Sequence, residues 1–293
     1  MTVDPSAARR LALGTVQFGV PYGIANVAGQ VSPEAAGAML AIAAEAGVDT
    51  LDTAIGYGTS EAVLGRLGVN GFRVVSKLPS MAMVAGDVAA WVDGEITGSL
   101  GRLCIPRLAA LMLHRPMELL GPGGPALLDA LRAAKDAGKA EKIGVSVYSP
   151  EELDALSGLD FDIVQAPFNL LDRRLETSGW LERLKARGVE VHTRSAFLQG
   201  LLLMPRAKVS AKFTPWRGLF DQWHDWLCAT AVAPLAACLR FVLSHPGIDR
   251  AVVGSDGPLQ LRQIVEAAAS ADLWPDIVSD DERLLNPARW ADL

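Results

Sequence analysis

Four residues in the first half of the chain carry the side chains of an acid–base site: Asp52, Tyr57, Lys77 and His114. A phenol with an ordinary pKa of about 10 is a weak acid at neutral pH. A nearby lysine ammonium is expected to lower that pKa, and a carboxylate would pair with the lysine and hold it in place. A histidine can hydrogen-bond the reacting oxygen or relay the proton. Such a set could protonate an oxygen on which negative charge develops, as carbonyl reduction by hydride requires.

The elements that would position these residues alternate along the chain. Short, continuous apolar runs suit strands buried on both faces of a parallel sheet, and helical stretches lie between them. Ser32 before Pro33 and Ser149 before Pro150 are typical of helix starts. The eight predicted strands are LALGTVQFG, VDTLDTA, FRVVSKL, RLAALMLHRP, KIGVSVYS, FDIVQAPFN, VEVHTRS and DRAVVGS.

Eight strand–helix units over about 250 residues predict a (β/α)8 barrel. No repeat, linker or composition break divides the chain, so we expect a single domain over residues 1–293. A doubly wound open sheet is the alternative. Such a sheet usually carries a G-x-G-x-x-G phosphate turn after its first strand, and GTVQFGVPYG does not match that pattern. The barrel is therefore the prediction.

The four candidate residues follow strands that are neighbours in this barrel. Asp52, Lys77 and His114 close the second, third and fourth predicted strands, and Tyr57 follows Asp52 closely. Catalytic groups in such barrels gather at the C-terminal ends of the strands. Each residue alone has an ordinary interpretation, such as a loop cap, a surface charge or a satisfied core histidine. A shared site explains why all of them fall on one rim.

Composition narrows the class of protein. The 293 residues are 50% hydrophobic and 20% charged, and the formal net charge is −6. These values argue against a disordered chain and against a general nucleic-acid binder. The sequence shows no signal peptide or membrane-length apolar segment, and its three cysteines lack metal-ligand spacing. We expect a cytoplasmic enzyme without a metal, a nucleic-acid partner or a membrane partner, and the residues indicate no particular oligomeric state.

Residues 51–65, LDTAIGYGTSEAVLG, resemble the D-T-A-x-x-Y-G-x-S-E signature of the aldo-keto reductases. VVSKLP and LMLHRP match the strand-end lysine and histidine of that family, and HPGIDRAVVGSDGPLQLRQI resembles its C-terminal cofactor segment. The resemblance extends from about residue 11 to residue 268. It implies that Tyr57 is the general acid, that Lys77 and Asp52 tune it, and that His114 orients the substrate carbonyl.

The resemblance also implies a nicotinamide cofactor, NADP by family habit and NAD as the alternative. Gln165 matches the family glutamine that binds the nicotinamide carboxamide, and TRSAFLQGLL aligns with the segment that lies along the pyrophosphate. The implied cofactor-binding residues are Gly14, Thr15, Asp52, Ser146, Gln165, Arg194, Ser195, Phe197, Leu198, Gly200, Gly254, Ser255, Gln260 and Arg262.

The chain departs from the family pattern near the nicotinamide. Val147 follows Ser146 where the family has an asparagine, which removes one expected amide contact. Arg194 occupies the position where the family often stacks an aromatic ring on the nicotinamide. A planar guanidinium can also stack on a ring, and it could bind an anionic group. The substitution could mark a branch that handles a charged or sugar-like substrate.

The C-terminal cofactor segment departs from the pattern as well. Many relatives carry a lysine or arginine early in this segment, where this chain has Gly254 and then Gln260. Gly254 and Ser255 at a strand end could present backbone N–H groups to phosphate. Arg262 could reach a 2′-phosphate or could be a solvent-facing charge on the last helix.

The leading functional hypothesis is an oxidoreductase that reduces an aldehyde or ketone with NADPH, or oxidises the alcohol in the reverse direction. The substrate would be a small carbonyl compound, and Arg194 makes sugar-like and anionic compounds candidates. A Schiff-base aldolase is an alternative, because Lys77 ends a barrel strand and such lysines can condense with carbonyls. A nicotinamide-binding sensor or regulatory subunit with little turnover is the other alternative.

A long loop is predicted after the seventh strand, over about residues 198–230. Its aromatic residues recur near helical periodicity, which indicates a helix with one aromatic face packed on the barrel. A lid over the cofactor or substrate is the alternative, because long loops in compact barrels are often functional. The aromatic residues concerned are Phe213, Trp216, Phe220 and Trp223.

Overall fold

A computed structural model of the chain describes residues 5–26, 28–81, 86–269 and 273–293. Eight parallel strands form its centre, and each strand pairs with the next. The last strand pairs with the first and closes the barrel. The strands are β1 Leu11–Gly14, β2 Thr50–Asp52, β3 Arg73–Leu78, β4 Ala110–Leu113, β5 Ile143–Ser146, β6 Ile163–Pro167, β7 Glu190–Arg194 and β8 Arg250–Val253.

Helices connect the strands and cover the outside of the barrel. The structure confirms the predicted (β/α)8 barrel. The helices are α1 Pro5–Ala8, α2 Val16–Gly19, α3 Pro33–Glu45, α4 Ser60–Leu67, α5 Val88–Leu103, α6 Gly124–Asp136, α7 Pro150–Ala155, α8 Arg174–Thr177, α9 Trp180–Ala186, α10 Arg217–Thr230, α11 Pro234–Leu243, α12 Pro258–Ala267 and α13 Glu282–Leu285.

The first predicted strand is shorter than the run LALGTVQFG. Strand β1 ends at Gly14, and Val16–Gly19 forms one helical turn instead. The backbone N–H of Thr15 donates to the carbonyl of Asp52 at 2.9 Å, and Val20 N–H then donates to the Val16 carbonyl at 3.0 Å. The chain thus turns out of the sheet directly beside the end of β2.

The interior of the barrel is layered along its axis. Residues at the starts of the strands form a charged group, in which Glu190 pairs with Arg73, Lys142 and His192. Asp52 and Lys77 lie at the opposite ends of their strands. An apolar cluster inside the barrel comprises Val75, Ala110, Met112 and Ile163. Ala110 and Met112 alternate along β4, as side chains on one face of a strand do.

The long connection after β7 consists largely of helical segments. It contains 3₁₀ segments at Leu198–Leu203, Arg206–Lys208 and Ala211–Trp216, followed by α10. The indole nitrogen of Trp223 donates to the Leu202 carbonyl at 3.0 Å. The predicted aromatic face is buried, because packing these large rings removes much apolar surface from water. Its members are Phe213, Trp216, Phe220 and Trp223.

The described residues contain neither a membrane-length helix nor a cluster of metal-ligating side chains. No single helix within the described ranges is long and apolar enough to span a membrane. The segments Ala211–Thr230 and Pro234–Leu243 pass that test only as a pair, bent by 102°. Across the same part of the chain, no group of three or more His, Cys, Asp or Glu side chains is arranged to hold a metal ion.

Candidate active site

A buried ion pair occupies the centre of the site at the C-terminal end of the barrel. The Nζ atom of Lys77 lies 2.7 Å from Oδ1 of Asp52 and donates to the Thr53 carbonyl at 2.9 Å. The side-chain amide of Gln165 donates to the other carboxylate oxygen, Oδ2, at 2.7 Å. Lys77 is 1% exposed and Asp52 is 3% exposed. Each charge therefore has a partner where water cannot supply one.

Tyr57 and His114 lie above this pair. Their ring centroids are 5.8 Å apart, with an edge-to-face interplanar angle of 75°. The Lys77 Nζ atom is 5.4 Å from the centroid of the Tyr57 ring. Both rings are half-buried, whereas Asp52 and Lys77 are fully covered. The four predicted catalytic residues thus form one cluster, with the phenol and the imidazole on its accessible side.

The pKa of Tyr57 is raised above its ordinary value of 10, which corrects the expectation that Lys77 lowers it. Burial is the largest cause, and the charges of Asp52 and Tyr22 raise the pKa further, while Arg194 lowers it. Desolvation penalises the phenolate, and Asp52 neutralises Lys77. The phenol consequently stays protonated at neutral pH, as a proton donor must.

The imidazole of His114 is neutral at pH 7. Burial lowers its pKa from 6.5 to about 4, and the charges of Lys77 and Arg194 act in the same direction. A neutral imidazole offers one N–H donor and one acceptor. His114 can therefore hydrogen-bond an oxygen without adding another positive charge beside Lys77.

Arg194 extends the cluster towards β5. Its guanidinium carbon is 4.3 Å from the centroid of the Tyr148 ring, and one of its nitrogens donates to the Val147 carbonyl at 2.9 Å. The Tyr148 ring therefore takes the stacking position on the guanidinium. Sequence reasoning missed Tyr148. A signal existed, since this tyrosine follows the strand-end residue Ser146 by two positions.

Several predicted cofactor residues meet at the ends of β1, β5 and β6. The Thr15 hydroxyl donates to the Asp52 carbonyl at 3.0 Å, directly after the buried Gly14. The Ser146 hydroxyl lies 3.5 Å from Oε1 of Gln165, a long hydrogen bond between neighbouring strands. The structure thus brings Gly14, Thr15, Ser146 and Gln165 around the Asp52–Lys77 pair.

The turn after β7 presents backbone rather than apolar side chains. Phe197 is 9% exposed and Leu198 is fully buried, so their side chains face the protein interior. The backbone has positive φ at Ser195 (65°), Leu198 (47°) and Gly200 (88°). Such strained non-glycine conformations concentrate at functional sites. Phe197 and Leu198 would contact a ligand here through the main chain.

The predicted residues after β8 form a separate turn. The Ser255 hydroxyl donates to the Gly257 carbonyl at 2.8 Å, so its hydrogen is used within the turn. The Gln260 side-chain oxygen accepts from the Asp256 N–H at 2.9 Å. Gly254, Gln260 and Arg262 are exposed. Within the part of the chain that the structure describes, Arg262 does not contact the Asp52–Lys77 pair.

The loop that carries Tyr57 is packed tightly against α2. A Cβ atom placed on Gly19 would lie 1.7 Å from the Tyr57 carbonyl oxygen and 2.6 Å from the Ser60 nitrogen. The Ser60 hydroxyl also donates to the Thr15 carbonyl at 2.9 Å. The close approach fixes the backbone of Tyr57. Sequence reasoning missed Gly19, because nothing in its local sequence reports the approach of a distant loop.

We predict that Gly19→Ala displaces Tyr57, whereas Gly56→Ala does not. Gly56 neighbours Tyr57, but a Cβ atom placed on it meets nothing within 4 Å. Overpacking at Gly19 should lower the free energy of unfolding by about 1–3 kcal/mol. With 3-fluorotyrosine in the protein, which has 3 tyrosines, the ¹⁹F resonance of Tyr57 should shift only in Gly19→Ala. An unshifted Tyr57 resonance in Gly19→Ala would contradict this assignment.

Comparison with known proteins agrees with the fold and with the family that the sequence resembles. The sequence profile of the Aldo/keto reductase family matches residues 10–279. The aldo-keto reductase YhdN of Bacillus subtilis (strain 168) is 24% identical over 281 residues, which cover 83% of this chain and 80% of YhdN.

Solved structures resemble the chain over most of its length. The structure of PA4992, a putative aldo-keto reductase from Pseudomonas aeruginosa, has a TM-score of 0.66 and 26% sequence identity, with 89% of each chain covered. The holo form of aldo-keto reductase AKR11C1 from Bacillus halodurans has a TM-score of 0.72 and 18% identity, with 94% of this chain and 95% of that chain covered. The second likeness shows the fold alone. Since the family profile covers most of the chain, the protein belongs to the aldo/keto reductase family.

Proposed function

We propose that Tyr57 is the proton donor of this aldo/keto reductase in the reduction of an aldehyde or ketone to an alcohol. The family reduces carbonyl groups with a nicotinamide cofactor. The observation that carries the proposal is geometric: the Tyr57 phenol ring lies edge-to-face with the His114 imidazole, and Lys77 Nζ of the buried Asp52–Lys77 pair is 5.4 Å from the Tyr57 ring centroid. The same arrangement would accept the proton in the reverse oxidation of an alcohol.

The residues at the barrel mouth fit a nicotinamide dinucleotide. Gln165 and Ser146 offer amide and hydroxyl groups beside Asp52. The turn after β7 offers backbone groups in strained conformations, and after β8 a Cβ atom placed on Gly257 would meet nothing within 4 Å. Farther along, the buried side-chain oxygen of Gln17 has no hydrogen-bond partner among the residues that the structure describes. NADPH is the form that the family resemblance implies. When bound, the nicotinamide supplies the hydride that goes to the carbonyl carbon.

The side chains of the site would then hydrogen-bond and protonate the carbonyl oxygen. His114 donates its N–H to this oxygen and orients it. As negative charge develops there, Tyr57 transfers its phenolic proton to the oxygen and completes the alcohol. The nearby charge of Arg194 favours the phenolate that remains. Asp52 keeps Lys77 protonated and in place within the buried site.

The geometry favours this reaction over a Schiff-base aldolase. The Lys77 amine is 1% exposed, and it already donates to Asp52 and to the Thr53 carbonyl. Condensation with a substrate would require a neutral, accessible amine. Borohydride in the presence of substrate should therefore leave Lys77 unmodified. A sensor with little turnover stays an alternative, which the rate of substrate reduction tests.

Arg194 supports an anionic or polyhydroxylated carbonyl compound as the substrate. Its guanidinium is half-buried at the mouth and held by the Tyr148 ring and the Val147 carbonyl. A guanidinium held in this way is preorganised to pair with a carboxylate or phosphate. It also lowers the pKa of Tyr57, so one residue would link substrate charge to proton donation.

The substitution Tyr57→Phe should lower kcat for carbonyl reduction by about 10²–10⁴-fold, because the phenylalanine ring has no proton to donate. Cofactor oxidation would be followed by absorbance at 340 nm with a panel of aldehydes. Tyr22→Phe is the matched control, since Tyr22 is an exposed mouth tyrosine whose hydroxyl contacts Gln199. It should retain most of the activity. Equal rates in wild type and Tyr57→Phe would rule out Tyr57 as the donor.

Arg194→Gln should raise KM for an anionic aldehyde much more than for a neutral one. We expect about a tenfold increase with 4-oxobutanoate, equivalent to about 1.4 kcal/mol of lost binding free energy, and little change with butanal. The neutral aldehyde controls for any effect of Arg194 on the cofactor. A parallel loss with both aldehydes would show that Arg194 does not select the substrate charge.

A further inference from the structure

The turn between β8 and α12 carries an acidic residue held by two amides. The carboxyl group of Asp256 forms side-chain hydrogen bonds with Gln17 and Gln260. Gln17 reaches this turn from α2, across the barrel rim, and Gln260 lies in the first turn of α12. The Asp256 N–H also donates to the Gln260 side-chain oxygen at 2.9 Å. Asp256 is therefore fixed from both sides.

A second hydrogen-bond acceptor at this turn, the side-chain oxygen of Gln17, lacks a donor among the described residues. Gln17 is 7% exposed, and its buried Oε1 atom accepts no hydrogen bond within the described part of the chain. This oxygen lies 3.1 Å from the point where a Cβ atom on residue 254 would sit, and the Nε2 atom of the same amide lies 2.8 Å from that point, so the Gln17 amide packs against Gly254. Buried acceptors are nearly always paired in folded proteins. The turn thus presents the Asp256 carboxylate in front of the buried Gln17 amide.

The charge of this turn is negative. From Gly254 to Leu261 it contains no lysine or arginine, and the first cation is the exposed Arg262. Asp256 forms no ion pair among the described residues. Burial raises the pKa of its carboxyl group, which means that the charged form is poorly solvated and would gain from a hydrogen-bond donor. Hydroxyl groups are such donors, whereas a phosphate dianion offers only acceptors and negative charge.

We propose that Asp256 selects NADH over NADPH by accepting hydrogen bonds from the adenosine ribose and repelling a 2′-phosphate. The inference rests on the proposed function, which requires a nicotinamide dinucleotide. It departs from the NADPH preference that the family resemblance implies. The departure follows from the residues of this chain. The turn between β8 and α12 presents hydrogen-bond acceptors, whereas a 2′-phosphate would need cations there.

The test is equilibrium binding of NADH and NADPH, followed by quenching of the fluorescence of the 7 tryptophans. The wild type should bind NADH at least about tenfold more tightly than NADPH, a difference of about 1.4 kcal/mol. Asp256→Asn removes the charge and keeps the size, and it should tighten NADPH binding while leaving NADH binding equal or weaker. The matched control Glu266→Gln neutralises an exposed carboxylate farther along α12 and should leave the ratio of the two dissociation constants unchanged, and Arg262→Gln tests the alternative cation. Each variant would first be checked for the thermal unfolding midpoint of the wild type.

The outcomes separate this inference from the proposed function. Tighter wild-type binding of NADPH, lost in Arg262→Gln, would overturn the role of Asp256 and assign the 2′-phosphate to Arg262. The reductase proposal would survive that result. Binding of neither dinucleotide would contradict the proposed function and the inference together. An unchanged dissociation-constant ratio in Asp256→Asn would also overturn the inference, whatever the wild-type preference.

Discussion

The ion pair between Asp52 and Lys77 is the interaction on which the rest of the site depends. Two charges removed from water must be partnered on every side, because an unpaired buried charge is very costly. The Gln165 amide and the Thr53 carbonyl complete this requirement at 2.7 and 2.9 Å. The pair therefore ties together β2, β3 and β6 at one end of the barrel. The accessible groups, Tyr57 and His114, lie above this rigid ion pair.

The barrel and the catalytic cluster could be predicted from sequence because both follow from a regular rule. Parallel strands in a barrel end on one rim, so strand-end residues such as Asp52 and Lys77 must converge even when far apart in sequence. Other features depend on distances that the sequence does not encode locally. The contact of Gly19 with the Tyr57 carbonyl, and the Tyr148 ring on Arg194, arise only when separate loops meet. The raised pKa of Tyr57 was missed for the same reason, since desolvation depends on the final burial.

The positions where this chain departs from its family lie on the rim rather than in the buried pair. Arg194 occupies the position where the family often has an aromatic ring, and Asp256 lies in the segment after β8 where the family resemblance implies a cation; each is held by neighbouring side chains. The same buried pair with different charges on the rim is compatible with one chemistry on another substrate and cofactor, since function lies in sites carried on a common fold. The cytoplasmic location stays a prediction from the sequence.

The measurement that tests the central claim most directly is a double-mutant cycle on the free energy of unfolding with Asp52→Asn and Lys77→Met. If the site depends on this ion pair, each single change leaves one buried charge unpaired and should lower the free energy of unfolding by about 3–5 kcal/mol. The double variant should cost clearly less than the sum, because neither charge remains. Additive costs in the two single variants would show that the pair does not act as a unit and would contradict the account.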